Sequence, residues 1–258
     1  MGCRQSALRK VTRCLHQIAR PASARCRRIE DLKSLRSCCP IVELRQYTLR
    51  PGMREELIAL FDRELVESQE ALGATIIGQF RDARAPDRFV WLRGFSDMES
   101  RGRALREFYG GPVWKRHRET ANATMLDSDD VLLLRPSRPG SGVRLEGVVR
   151  APIGAPSHTG NLVFATIYSY EPAVVKAEIV EHFERSVIPS SERSGNRIIA
   201  YFQTESAPNN FPALPVREGE NVFVCFSTAP MREVDPPVAP SAIATLELEP
   251  TARSLVRG

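Results

Sequence analysis

Residues 73–80 read GATIIGQF, and 122 positions later residues 195–202 read GNRIIAYF. A chain that writes one segment twice at a domain-sized spacing reads as two copies of one unit, with an interior organised around the seam between them. At 258 residues it is long enough for two such units. No run approaches the roughly 18 apolar residues of a membrane-spanning helix, so no transmembrane segment is expected.

The formal charge of +5 suggests nucleic-acid binding until it is located along the chain. Residues 1–39 carry ten Lys and Arg against Glu30 and Asp31, so 10 − 2 = +8, which leaves 26 − 29 = −3 for the body. A mildly acidic body without clustered cations does not fit phosphate-backbone recognition, and no nucleic-acid partner is expected. Five of the six cysteines, Cys3, Cys14, Cys26, Cys38 and Cys39, lie in this leader, with only Cys225 beyond it and no CxxC pair, so no disulfide framework is indicated. The leader reads first as a disordered basic tail or an upstream start. Leu8, Val11, Leu15 and Ile18 on one helical face give residues 1–30 the composition of a mitochondrial presequence as a second reading. Met1-Gly2-Cys3-Arg4-Gln5-Ser6 fits an acylation pattern as a third. Arg supplies 32 of the 36 cations, the skew of a high-GC genome, and a cytoplasmic location is expected, or a mitochondrial one if the presequence reading holds.

The first unit is expected over 40–136. Residues 41–49 alternate as a strand, with Val42 and Leu44 on the face suited to helices and Glu43, Arg45 and Tyr47 on a face turned into the sheet's other side. A helix over 53–71 ends at Gly73; a hairpin of 75–81 and 89–95 follows; helices are expected from Ser96 or Asp97 to Arg106 and from Pro112, and a strand over 131–134 closes the unit. The order is βαββαβ, the ferredoxin-like split unit. A Pro/Gly-rich linker is expected over 137–160, a second unit over 161–250 and a tail over 251–258. Aligning Phe95-Ser96 with Phe226-Ser227 gives the second hairpin 131 − 122 = 9 additional residues, around 209–217, a candidate lid or partner surface. Four prolines in 230–242 reduce or remove the second unit's last helix. That leaves one side of the second sheet under-covered, and a homo-oligomer is expected on that ground.

The segments ELRQYTLRPG, FVWLRGFSDMESR and FYGGPVWKRHRETANATMLDSDDVLLLRP resemble the NIPSNAP family, its bacterial members most closely. The resemblance spans about 41–250. It implies an α+β fold in which two tandem ferredoxin-like units form an intrachain dimeric α/β barrel. It implies no catalytic residues, since bacterial members have none agreed, animal members look like mitochondrial adaptors, and barrel relatives range over cofactor-free monooxygenases, isomerases and haem enzymes.

The candidate ligand-binding residues are Glu43, Arg45, Tyr47, Trp114, His117 and Tyr168. Glu43, Arg45 and Tyr47, expected to point into the barrel, offer an Arg–carboxylate pair beside a phenol, able to orient a small ligand or simply to tie the sheets together. The mirrored positions read Thr166 and Tyr168, without charge. Trp114, His117 and Arg118 cluster on one helix; His117 has the chemistry of a general base or axial haem ligand, and Trp114 with His117 also describes an ordinary packed face. His158 falls in the linker and His182 on another helix, so no histidine pair forms, and neither a metal site nor a cofactor is expected. The expected function is a small-molecule-binding or protein-interaction module. The rival is a cofactor-independent monooxygenase or isomerase acting on a small aromatic or lipid-like substrate in the barrel, with His117 as base and Arg45 holding an oxyanion, and whether the protein is an enzyme stays open.

Overall fold

The structure is a computed structural model that describes residues 38–156, 161–231 and 238–258. The first half runs β1 (Ile41–Leu49), α1 (Arg54–Leu60), a π-helical turn (Phe61–Leu65), α2 (Val66–Glu70), β2 (Thr75–Asp82), β3 (Arg88–Phe95), α3 (Met98–Gly110), α4 (Pro112–Thr124) and β4 (Met125–Pro136). The second runs β5 (Val163–Ser169), α5 (Lys176–His182), a π-helical turn (Phe183–Val187), α6 (Ile188–Arg193), β6 (Ile198–Thr204), β7 (Val222–Ser227) and β8 (Ala242–Pro250). Local chemistry sets the ends. Gly73, at φ +93°, turns the chain out of α2, the Asp97 carboxylate accepts the Ser100 N–H as a cap on α3, and Pro112 opens α4 where its missing N–H has no partner to lose.

The eight strands close into one barrel in the order β1-β3-β2-β8-β5-β7-β6-β4. Each half contributes a ferredoxin-like sheet, β4-β1-β3-β2 and β8-β5-β7-β6, and the halves join edge to edge through β2·β8 and β4·β6. The two sheet edges that a single half would leave open are thereby paired. The π-turns lie 122 residues apart, and each begins with a phenylalanine against the sheet: Phe61 on Trp91 and Phe89, Phe183 on Phe223 and Tyr201.

Register corrects the length of the second hairpin loop. Phe80 pairs with Val90 and Phe202 with Val224, so the second hairpin is longer by (224 − 202) − (90 − 80) = 12 residues, not nine. The pairing matches FVWLR to FVCFS, placing Trp91 with Cys225 and Arg93 with Ser227, whereas letter matching had slid the strand by three positions.

The faces of β1 are also the reverse of the expectation. Val42 and Leu44 point into the barrel, where Val90, Leu92, Leu132 and Leu134 meet Val163, Ala165, Phe202, Val224, Phe226 and Leu248 in one dry core. Glu43, Arg45 and Tyr47 instead face the helices. Both faces of a barrel strand are covered, and only the helix side brings other polar side chains within reach of a charge, which needs partners when it leaves water.

The flanking segments are fastened to this frame. Arg150 donates to Glu70 Oε1 at 2.6 Å and to the Ile76 carbonyl at 2.7 Å, and Arg253 donates to the Ala151 carbonyl at 3.0 Å and pairs with Glu67. Residues 251–254 are consequently buried after the last strand. Among the described residues no helix lies between β7 and β8, and the outer face of β8 leaves Ile243 52% exposed. Among them, too, no helix is long and apolar enough to cross a membrane.

Candidate functional site

Polar side chains converge between the sheet and α3. Glu43 on β1 and Arg93 on β3 are cross-strand partners, as are Arg45 and Trp91, so register alone stacks these four on the helix-facing side. From α3, Arg101 points down onto Glu43. All three arginines and the glutamate have fully buried side chains.

Glu43 is the hub. Its Oε2 accepts from Arg45 Nη1 at 3.0 Å, from Arg93 Nη2 at 2.6 Å and from Arg93 Nε at 3.0 Å, and its Oε1 accepts from Arg101 Nε at 2.7 Å. Arg45 Nε donates to the Tyr47 hydroxyl at 3.0 Å and Arg93 Nη1 to Gln69 Oε1 at 2.7 Å. Arg101 Nη1 donates to Asn209 Oδ1 at 3.0 Å and Asn210 Oδ1 at 2.8 Å, both from the β6–β7 loop of the other half.

The charges do not balance. Among the described residues, one carboxylate against three guanidinium groups leaves −1 + 3 = +2 on side chains closed to water. Burial pushes the Glu43 carboxyl up, but Arg93, Arg45 and Arg101 outweigh it and hold the group well below the usual carboxylate range, so the carboxylate is ionised. Burial lowers the pKa of Arg101; Glu43 opposes that shift, while Arg93 and Arg45 add to it, the mark of cations crowded on too little negative charge.

Hydrogen-bond donors are in surplus as well. Arg45 Nη2, Arg101 Nη2 and Trp91 Nε1 are buried without a partner among the described residues, as is Gln79 Nε2 across the β2·β3 ladder from Trp91. A buried donor without an acceptor costs about 1–3 kcal/mol, more when charged, and native structures keep few of them. Aromatic rings wall the cluster: Trp91 lies under the guanidinium groups of Arg45 and Arg93 at 5.5 and 5.0 Å, and Tyr109 packs on Phe108, Trp114 and Phe211. The arrangement suits an anionic oxygen group attached to an aromatic or apolar body.

Of the residues named from sequence, Glu43, Arg45 and Tyr47 share this cluster, and Trp114 reaches its edge through Tyr109 at 5.0 Å between ring centroids. His117 turns elsewhere, its Nε2 lying 3.6 Å from Glu64 Oε2. Tyr168 sits on β5, across the barrel from β1, against Phe223. Sequence reading missed Arg93, Arg101 and Gln69, and reached Asn209 and Asn210 only as part of the lengthened loop over 209–217. Arg93 had a signal, a lone charge inside the apolar FVWLRGF; Arg101 had none, because Glu43 lies 58 positions away in the chain, and the two asparagines meet Arg101 across 108 and 109 positions. Two open grooves, of about 710 and 370 Å³, lie apart from the cluster and share Arg144, Arg197 and Ile199 in their linings. Among the described residues no group of three or more His, Cys, Asp or Glu is placed to hold a metal.

The family profile described as NIPSNAP matches residues 42–138, the stretch that carries Glu43, Arg45, Arg93 and Arg101. No curated protein matches the chain. Among solved structures, an uncharacterised NIPSNAP-like domain protein from Burkholderia xenovorans is 30% identical, covering 37% of this chain and 84% of its own, with a TM-score of 0.35. A NIPSNAP family protein from Agrobacterium tumefaciens is 23% identical over 37% of this chain and 84% of its own, TM-score 0.35. A putative monooxygenase from Lactobacillus acidophilus covers 82% of this chain and 94% of its own at 16% identity, TM-score 0.47. With the profile falling on the half that holds the cluster and a relative 30% identical over most of its own length, the chain belongs to the NIPSNAP family.

Proposed function

We propose that this NIPSNAP protein is a small-molecule-binding module whose ligand carries an anionic oxygen group on an aromatic or apolar body, seated against Arg45 and Arg101 under α3. The observation that carries the reading is the buried +2 charge among the described residues, with two guanidinium N–H groups, Arg45 Nη2 and Arg101 Nη2, left without acceptors there. Unmatched buried charge is costly, and an anionic ligand would offset it here. The barrel interior, packed with apolar side chains, supports no enzyme reading there, and the pairing of His117 with Glu64 supports no role for it as a base beside Arg45.

The chain's two tryptophans, Trp91 and Trp114, both stand at this site, so selectively excited tryptophan fluorescence reports on it. Titration with benzoate and phenyl phosphate is expected to give saturable quenching. Arg45→Met removes one charge-assisted donor and is expected to weaken binding at least about tenfold, as loss of a hydrogen bond to a charged group does. Equal affinities of the wild type and Arg45→Met for both probes would rule the reading out.

A further inference from the structure

We propose that the lengthened β6–β7 loop completes this site from the other half, with Asn209 and Asn210 as specificity-determining residues that hold Arg101 until an anionic ligand displaces them. The inference rests on the anion-binding reading above.

The two amide oxygens occupy Arg101 Nη1 at 3.0 and 2.8 Å. They are neutral acceptors on a cation buried to 0% exposure, and a carboxylate or phosphate oxygen adds the opposite charge and the bidentate geometry that an amide oxygen lacks. They therefore fill the place of the anion without neutralising the charge. The turn that carries them is self-supporting. Asn209 donates through Nδ2 to the Leu214 carbonyl at 3.0 Å and through its backbone N–H to Glu218 Oε1 at 2.7 Å, while Phe211 N–H donates to Asn209 Oδ1 at 3.1 Å. A turn built this way keeps its shape when lifted as a unit.

Its seat on the first half is narrow. Asn210 Nδ2 donates to the Met98 carbonyl at the start of α3, and Phe211 stacks on Tyr109 at 5.7 Å and 21°. Gly102 makes the seat possible: a Cβ there would stand 2.7 Å from Asn210 Nδ2. Beyond the turn, Arg217 fastens the loop to Asp130 at 3.2 Å and is braced within the loop by Glu220 at 2.7 Å, which leaves residues 209–214 as the separable part. Amide contacts and the packing of two partly buried side chains, Phe211 and Leu214, on the Ile41–Phe95–Leu105 layer are an exchangeable latch, whereas the Glu43 ion pairs beneath it are not.

Gly102→Ala unseats Asn210 while favouring the helix, since alanine is the better helix former; Asn210→Ala removes one acceptor directly. Stopped-flow tryptophan fluorescence with benzoate and with phenyl phosphate reads the result. Association rates are expected to rise about tenfold in both variants, the factor that one hydrogen bond to a charged group commands. Should Gly102→Ala fail to fold by circular dichroism, Asn210→Ala decides the matter alone. Wild-type association rates in the folded variants overturn the latch and leave the binding reading standing. No binding of either probe to the wild type or the variants overturns the binding reading, and the latch with it.

Discussion

Glu43→Gln tests the charge count at the heart of the site. Three ion pairs at 3.0, 2.6 and 2.7 Å converge on this carboxylate. At an effective dielectric of about 20, each such contact is worth roughly 6 kcal/mol before the cost of desolvation. Removing one member of a single buried pair costs about 3–5 kcal/mol, because the partner stays behind uncompensated. Here three arginines stay behind, and the net buried charge rises from +2 to +3, so the expected loss is at least about 5 kcal/mol, comparable to the whole stability of a marginal domain. Urea unfolding at pH 7 in low-salt buffer measures it. Potassium phosphate is expected to restore part of the loss in the variant, beyond what potassium chloride of equal ionic strength does, because an anion can enter the space where charge is missing. The pH dependence has a definite sign. A carboxyl whose folded pKa lies below its ordinary 4.5 contributes stability that is fully present above that value and is lost as pH falls beneath it. The gap between wild type and Glu43→Gln should thus narrow below about pH 4.5 by roughly 1.4 kcal/mol per pH unit. A variant within about 1 kcal/mol of wild type at pH 7 would refute the reasoning, since it would mean that the three cations are not carrying uncompensated buried charge.

Asp62, in the first π-turn, has a carboxyl that burial pushes up to about 6 despite Arg253, Arg150 and Arg81, and its Oδ1 has no partner among the described residues. A carboxyl raised in the fold favours folding below its unfolded pKa of 3.8 and loses that contribution as pH rises through about 6, so Asp62→Asn is expected to gain about 1 kcal/mol at pH 7.5, discounted for partial exposure, and nothing below pH 4; thermal melts across that range check both ends. Phe202, fully buried and edge-on to Phe226 at 6.0 Å, fills the barrel where the two halves meet, so Phe202→Ala should cost about 3–5 kcal/mol in denaturant unfolding, and a loss under about 1 kcal/mol would show the interior to be loosely packed.

The fold was legible because it is built from local signals written twice. GATIIGQF and GNRIIAYF become β2 and β6, the strand order follows from the two βαββ runs, and the turn at Gly73 is repeated by Gly195, at φ +77°. The direction of β1's faces was not legible. Ile41–Leu49 is buried on both sides apart from Thr48, and an alternation with two covered faces carries no mark of which is inside. The choice is made by α3: Arg101 brings a third cation to Glu43 from a helix, and nothing in the spacing of residues 43 and 101 announces it. The length of the loop was missed for a related reason. Matching phenylalanines sets a strand by its letters, while its register is set by which backbone groups pair.

The corrected register also explains why a barrel of two similar halves holds one charged site. At the positions that hold Arg45, Trp91 and Arg93 on the helix side of the first sheet, the second has Thr166, Cys225 and Ser227. The neighbouring layer there is apolar, with Phe183, Phe223 and Tyr168 packed on α5 and its π-turn. Among the described residues that layer therefore has no fully buried cation to satisfy, its nearest charge being the part-exposed Glu184 that accepts from the Tyr201 hydroxyl. Its 12 extra residues leave the end of β6 and pass over β4, where Glu205 and Arg217 donate backbone N–H groups to the Leu133 and Val131 carbonyls, before reaching α3. A loop that left its own sheet to meet Arg101 gives up no partner at home, because no equivalent cation waits there. Two halves that remained alike would bury a +2 cluster each and leave neither with a loop to spare for the other. Divergence at these few positions turns two copies into a site on one half and a cover supplied by the other, with the β4·β6 junction as the joint between them.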